Sequence, residues 1–233
     1  MAKYLWKSMK KGMKSDNGDV KWKLGQWQTH KGKLDMCESG FHVSEKIIDA
    51  MSFVPMEVLA KVEVKGKSIK QEDKQVWSQM RIVKAYKWTK KDSVSLAIYA
   101  AELILPFFEK EYPNDNRPRQ AIEAAKKVLQ NDTPINRRAA WAAAAPSWAT
   151  HWAISWPMDA AYAAEAAKAA ALTAAWKVYA AEAAESAAWA AYWAMSWQAD
   201  AAKAAEVETT RNVKFLNKIE KWLLNRVKTL EEL

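Results

Sequence analysis

After Gly66 the 233-residue chain contains no glycine, and the six it has all lie between Gly12 and Gly66. Turn-rich structure is therefore confined to the front of the chain. Cysteine is nearly absent. Cys37 stands alone, which excludes an internal disulfide and a multi-cysteine zinc site and fits a reducing compartment. There is no run of eighteen purely apolar residues, and the opening MAKYLWKSMKKGMK lacks the apolar stretch of an export signal. Neither a membrane span nor export is expected, and the reading points to the cytoplasm. His30, His42 and His151 are scattered, with no pair at metal-ligand spacing, and neither a Gly-rich phosphate loop nor a nucleophile elbow occurs. With no catalytic set, metal site or cofactor motif to build on, binding is expected rather than turnover.

Half of the residues are apolar, enough to bury a core and to exclude global disorder. The net charge of +9 is unevenly placed: residues 1–90 hold 19 Lys and Arg against 10 Asp and Glu, whereas residues 91–233 hold 17 of each. The excess positive charge of the front favours anionic partners.

Glycine usage, charge and hydrophobic period change together near residue 90, which predicts an α+β fold in two modules. The first, 1–90, is a small, mainly antiparallel sheet with a short helix. Lys3–Met9 and Val20–Trp27 flank the turn signal Ser15-Asp16-Asn17-Gly18 and read as a hairpin. A short strand is expected at Phe41–Val43, then a helix opened by Ser44 and Glu45 and running to about Phe53, with Pro55 stopping it. Val58–Val64 alternates as a half-buried strand, and Gln75–Trp88 gives a longer one with a bulge near Arg81 where the alternation slips.

The second module, 91–233, is an all-α, Ala- and Trp-rich helical bundle. Val94, Ala97, Ile98, Ala101, Leu105 and Phe108 fall at helical spacing, with a kink expected at Pro106. Pro118 suits the first turn of a helix through about Gln130 that carries Ile122, Ala125 and Leu129, and Pro146 and Pro157 read as two further helix starts. Tyr162–Val178 and Tyr179–Met195 align without gaps, and a turn is expected between the copies. Alanine offers little area to bury, so the eight tryptophans from Trp141 to Trp197 are expected to supply much of this core. Tryptophan stripes left uncovered would favour a homo-oligomer.

The residues expected to contact a ligand are His42, in the setting Cys37-Glu38-Ser39-Gly40-Phe41-His42, the aromatic and cation Trp77 and Arg81, and Arg117 and Arg119 at a predicted helix N-terminus. Cys37 and His42 also have the spacing of a nucleophile and base, although a turn entering a strand is the simpler reading. Arg117 and Arg119 have an alternative structural role, pairing with Glu109, Glu111 or Asp115. Glu63, Glu72, Asp73 and Lys74 read as a charged turn between strands.

The residues Cys37–His42, with Val62-Glu63-Val64-Lys65-Gly66 and Asp73-Lys74, resemble an uncharacterised N-terminal module of phage and bacterial proteins. Leu105–Lys126, followed by the Ala-rich tract, resembles a helical domain family labelled as an immunity protein. The resemblance implies a setting of phage and host, or of bacterial conflict, in which small proteins act by binding. The expected function is that of a phage accessory protein that counters host defence by sequestering a nucleotide-type immune signal. The alternatives are an inhibitor or toxin-immunity protein that meets a host or toxin protein through its helical surface, and a nucleotide-processing enzyme built on the first module. Nucleic acid is a further candidate partner of the basic module.

Overall fold

The structure, a computed structural model, describes residues 4–15, 21–52, 54, 56–153, 158–175, 186–190 and 206–233, with the side chains of 145–153, 158–161 and 206–215 outside that description. The chain divides into two compact units, one of Met1–Thr89 with Trp222–Leu233 and one of Lys90–Lys221. The C-terminal segment, which the sequence places with the helices, thus packs in the first unit. That unit holds 20 Lys and Arg against 12 Asp and Glu, a net +8.

The first unit is a five-stranded, wholly antiparallel sheet: β1 (Leu5–Met9), β2 (Gln28–Thr29), β3 (Phe41–Val43), β4 (Val58–Lys70) and β5 (Gln75–Lys87), with helix α1 (Ile47–Met51) between β3 and β4. The order is β1-β4-β5-β2, and β3 also pairs with β5. The long hairpin β4–β5 is the frame, and its apolar alternation buries Val58, Ala60, Val62, Met80, Ile82 and Ala85 with Leu5, Met9, Trp22 and Val43 in one cluster. The slip expected near Arg81 is a register shift that leaves Val83 as the extra residue, since Lys61 faces Lys84 but Val62 faces Ile82. A second shift, between Lys65 and Ser68, takes in Gly66.

Short segments cover the second edge of β5 in succession. β3 pairs with Val76 and its neighbours, β2 with Met80 and Gln79, and the amide of Gly25 donates to the Ile82 carbonyl. The chain end completes the row: Lys87 N–H donates to the Glu231 carbonyl, Leu233 N–H donates to the Ala85 carbonyl, and Glu231 and Glu232 pair with Lys87 and Lys84. An exposed strand edge invites pairing with other chains, and this one is occupied along its length.

Two sequence expectations change here. β1 pairs with β4 (Leu5 with Val62 through Met9 with Val58), not with 20–27, whose described residues form only isolated bridges. The turn at 16–18 lies outside the described residues. β4 offers β1 an apolar partner surface that Lys21, Lys23 and Gln26 cannot match. Ser44, expected to open the helix, instead exchanges both backbone hydrogen bonds with Trp6, at 2.8 and 2.9 Å, so α1 begins only at Ile47 with no side-chain cap. That exchange joins the end of β3 to the free edge of β1, and the sheet curls back on itself.

In the second unit, α2 (Lys90–Glu111), α3 (Arg117–Gln130), α4 (Pro134–Ala153) and α5 (Met158–Ala175) are followed by a helical stretch at 186–190 and by α6 (Glu206–Val227), whose last turns belong to the first unit. α5 touches α2, α3 and α4, and seven alanines from Ala163 to Ala171 are buried, as a helix surrounded by others requires. Pro106 lies within α2, and Pro118 stands in the first turn of α3 as expected. Pro146 does not start a helix, for it lies inside α4, which begins at Pro134. Val128 is buried where Leu129 was expected, beside Ile122 and Ala125. Pro157 and the turn between the repeat copies lie outside the described residues. So do six of the eight tryptophans or their side chains. Of the two that are described, Trp189 is half-buried and Trp141 is 53% exposed, so the described core here is alanine with aliphatics and Phe108. Among the described residues no helix is long and apolar enough to cross a membrane.

Candidate functional site

β1 and β3 meet at the single exchange between Trp6 and Ser44 and then splay apart. The gap is a cavity of about 270 Å³ with Trp6, Lys7 and Ser8 on one wall and Phe41, His42 and Ser44 on the other. Ala50 and Val54 line it from the helix side, and Cys37, Glu38 and Lys74 from the loops. Lys7 reaches across the opening, its Nζ donating to the His42 carbonyl at 3.0 Å.

Residues Asp35–Ser39 close a loop just before β3. Asp35 and Ser39 exchange backbone hydrogen bonds, both 3.0 Å, and Cys37 takes a left-handed backbone at φ 73°. A non-glycine residue in that region costs about 1–3 kcal/mol and persists only where its surroundings fix it. Here the fixing contact is visible: the Cys37 amide donates to Nε2 of His42 at 2.9 Å. Nε2 then carries no proton, and the neutral ring holds its hydrogen on Nδ1. The Cys37 thiol accepts from Lys74 Nζ at 3.0 Å, a contact that raises the lysine pKa and keeps its ammonium charged. Cys37 and His42 do come together, but the ring nitrogen that a thiol would need as its base is occupied by the backbone.

His42 is held below its ordinary value of 6.5 by burial first and then by the charges of Lys7 and Lys74, against the backbone hydrogen bonds of Gly40 and Asp35. The unfolded ring gains its proton at higher pH than the folded one, so stability is full above 6.5 and is lost as pH falls through the lower folded value. Thermal melts from about pH 7.5 down to about pH 5 are expected to show a falling midpoint. His42→Gln, which keeps an acceptor but does not titrate, should remove the His42 share of that fall. Identical pH slopes in the two proteins would contradict this account of the ring.

The other anticipated residues fall into separate places. Trp77, in β5, faces Phe41 in the register, and its Nε1 donates to the buried Gln75, whose Nε2 donates to Glu45. Arg81 is paired with Glu63 at 2.6 Å, with its guanidinium over the Trp27 ring. Neither lines the cavity. Arg117 and Arg119 belong to the second unit and are held in bidentate contacts, Arg117 by Asp115 and Arg119 by Glu109, as the structural alternative had it. Asp115 is pushed below the usual carboxylate range chiefly by its hydrogen bond from Arg117. Lys7 carries no mark in the sequence, and Lys74 reads there only as part of a charged turn. The pairing of Val43 with Gln75 is what brings Lys74 beside the loop. Among the described residues no three His, Cys, Asp or Glu side chains gather as a metal site would need.

Comparison with curated proteins and with solved structures gave no match. Residues 3–91, which hold the whole sheet, the cavity and the Cys37–His42 loop, match the model of a family described as a domain of unknown function (DUF7666).

Proposed function

We propose that this chain is a binding protein whose first unit takes a small phosphorylated ligand of nucleotide type in the cavity between β1 and β3. The observation that carries this reading is the pair of ammonium groups, Lys7 and Lys74, lining a small cavity with Trp6 and Phe41 in a unit of net charge +8. Cations suit the phosphate, and the aromatic and apolar wall suits the base or sugar. A volume of about 270 Å³ lies just below the usual range of small-ligand sites, about 300–1,000 Å³, and suits a single nucleotide better than a larger one. The engagement of His42 Nε2 by the backbone favours capture over turnover. Combined with the resemblance to phage and immunity modules, this supports sequestration of a nucleotide signal by a phage accessory protein as the biological role.

Calorimetry on the full chain against cyclic mononucleotides and ADP-ribose derivatives tests the reading. Binding is expected, and Lys74→Glu should weaken it by about 2–4 kcal/mol, since an attractive charge becomes a repulsive one. Absence of heat for every compound, or binding indifferent to Lys74→Glu, would reject it. A second reading, a protein-protein inhibitor or toxin-immunity protein, is favoured by one observation: Ile135 (71% exposed), Arg138 and Trp141 are exposed on α4. Binding to a protein partner lost in Trp141→Glu but kept in Lys74→Glu would decide for it.

A further inference from the structure

The outer face of the sheet, opposite the buried cluster, carries a cross-strand row that the cavity does not use. Leu5 pairs with Val62, so Tyr4 stands at Glu63, Glu63 faces Arg81, and Trp27 precedes Gln28, whose partner Met80 adjoins Arg81. Tyr4, one residue before β1, and Trp27, one residue before β2, thus continue the line of the Glu63–Arg81 pair on its two sides, about 14 Å apart at about 4.8 Å per strand spacing.

Each aromatic carries cations. Lys61 Nζ lies 3.8 Å from the Tyr4 ring centroid, and Lys65 Nζ and the Arg81 guanidinium lie 4.1 and 5.0 Å from that of Trp27. Tyr4 is 40% exposed, and Lys65 is exposed in the second half of β4. The carboxylate in the row, Glu63, is neutralised by Arg81 at 2.6 Å.

We infer that this face binds single-stranded nucleic acid. A ring with a cation over it offers both things a nucleotide needs, a surface for the base and a charge for the phosphate. Two such rings on one sheet face give a strand two stacking points, with Lys61 beside the first and Lys65 beside the second. A base arriving at Trp27 takes the place of Lys65, whose long stem lets its ammonium swing to the adjacent phosphate. Duplex bases are already stacked and cannot use the rings, so the face discriminates by strandedness rather than by sequence.

The test is fluorescence anisotropy of the full chain with a labelled pyrimidine-rich single strand of about fifteen nucleotides, the same sequence as duplex, and poly-glutamate as a non-nucleic polyanion. The single strand should bind more tightly than either competitor. Tyr4→Ala and Trp27→Ala should each weaken it by about tenfold or more. Lys65→Ala should lower the slope of log affinity against log salt by about 0.7. Tyr4 and Lys65 are exposed, so those two variants keep the test open if Trp27→Ala melts early. Failure to bind at low salt, equal affinity for duplex or poly-glutamate, or affinity indifferent to Tyr4→Ala and Trp27→Ala would overturn the inference.

Discussion

Gly40→Ala is expected to destabilise the first unit by about 2–5 kcal/mol and to abolish the ligand binding proposed for the cavity. Gly40 has φ +111°, and a Cβ there would lie 2.5 Å from Val76 Cγ2 and 2.8 Å from Leu34 Cδ2, with the Trp77 carbonyl at 3.4 Å. Val76 is fully buried in β5, so it has no free space to retreat into. Backbone strain and overlap therefore add at a position three residues after Cys37 and two before His42. Gly12→Ala is the matching control. Gly12 also has a positive φ, +76°, but a Cβ there meets nothing within 4 Å, so about 1 kcal/mol of backbone strain is all that is expected. Urea unfolding of both variants measures the difference, and equal losses would show that the close approach to Val76 is not what fixes the loop.

Trp22→Ala is the second large effect, about 3–5 kcal/mol. Trp22 is 1% exposed within the sheet cluster, its Nε1 donates to Ser15 Oγ at 2.9 Å, and it meets Phe41 edge to face with centroids 5.1 Å apart. Removing it leaves a large void, strands the Ser15 hydroxyl and loosens Phe41, which lines the cavity. Trp22→Phe keeps most of the volume and should cost clearly less. A loss of about 1 kcal/mol or below for the alanine variant, read from the unfolding transition of the first unit, would mean that the 21–27 segment contributes little to the core.

The parts of the fold that were legible are those set by local pattern. The alternation of Val58–Val64, the helical spacing from Val94 to Phe108, and Pro118 in a first helical turn each report on a few consecutive residues, and each element is present there, although β4 runs on past the alternating stretch to Lys70. The parts that were not legible depend on partners distant in sequence. A strand at 5–9 can be read locally, but that it pairs with 58–62 rather than 20–27 is decided by tertiary packing. Ser44 has the side chain of a helix cap, yet its backbone is already committed to Trp6. The C-terminal residues gave no sign of returning to β5, because two backbone hydrogen bonds need no special side chain.

The site divides the same way. Cys37 and His42 announce themselves by rarity and by the glycine between them, and they do form one unit. Their chemistry was hidden, since the bond runs from the Cys37 amide and not from its thiol. Lys7 and Lys74 are two lysines among many in the sequence, and only the splaying of β1 from β3 and the β4–β5 hairpin bring them to the same cavity. Arg117 and Arg119 looked like an anion site because both stand at a helix start, but the acids that hold them, Asp115 and Glu109, are close by in the chain.

If the cavity between β1 and β3 receives a phosphorylated ligand, that ligand must touch the Cys37–His42 segment and Lys74. Amide chemical-shift mapping of the full chain, titrated with a cyclic mononucleotide, locates the contact. The largest shifts are expected at Cys37, Gly40, His42 and Lys74, with the His42 ring neutral throughout at pH 7.5 or above. Saturable shifts centred elsewhere, or no shift at these four residues, would contradict the proposed site.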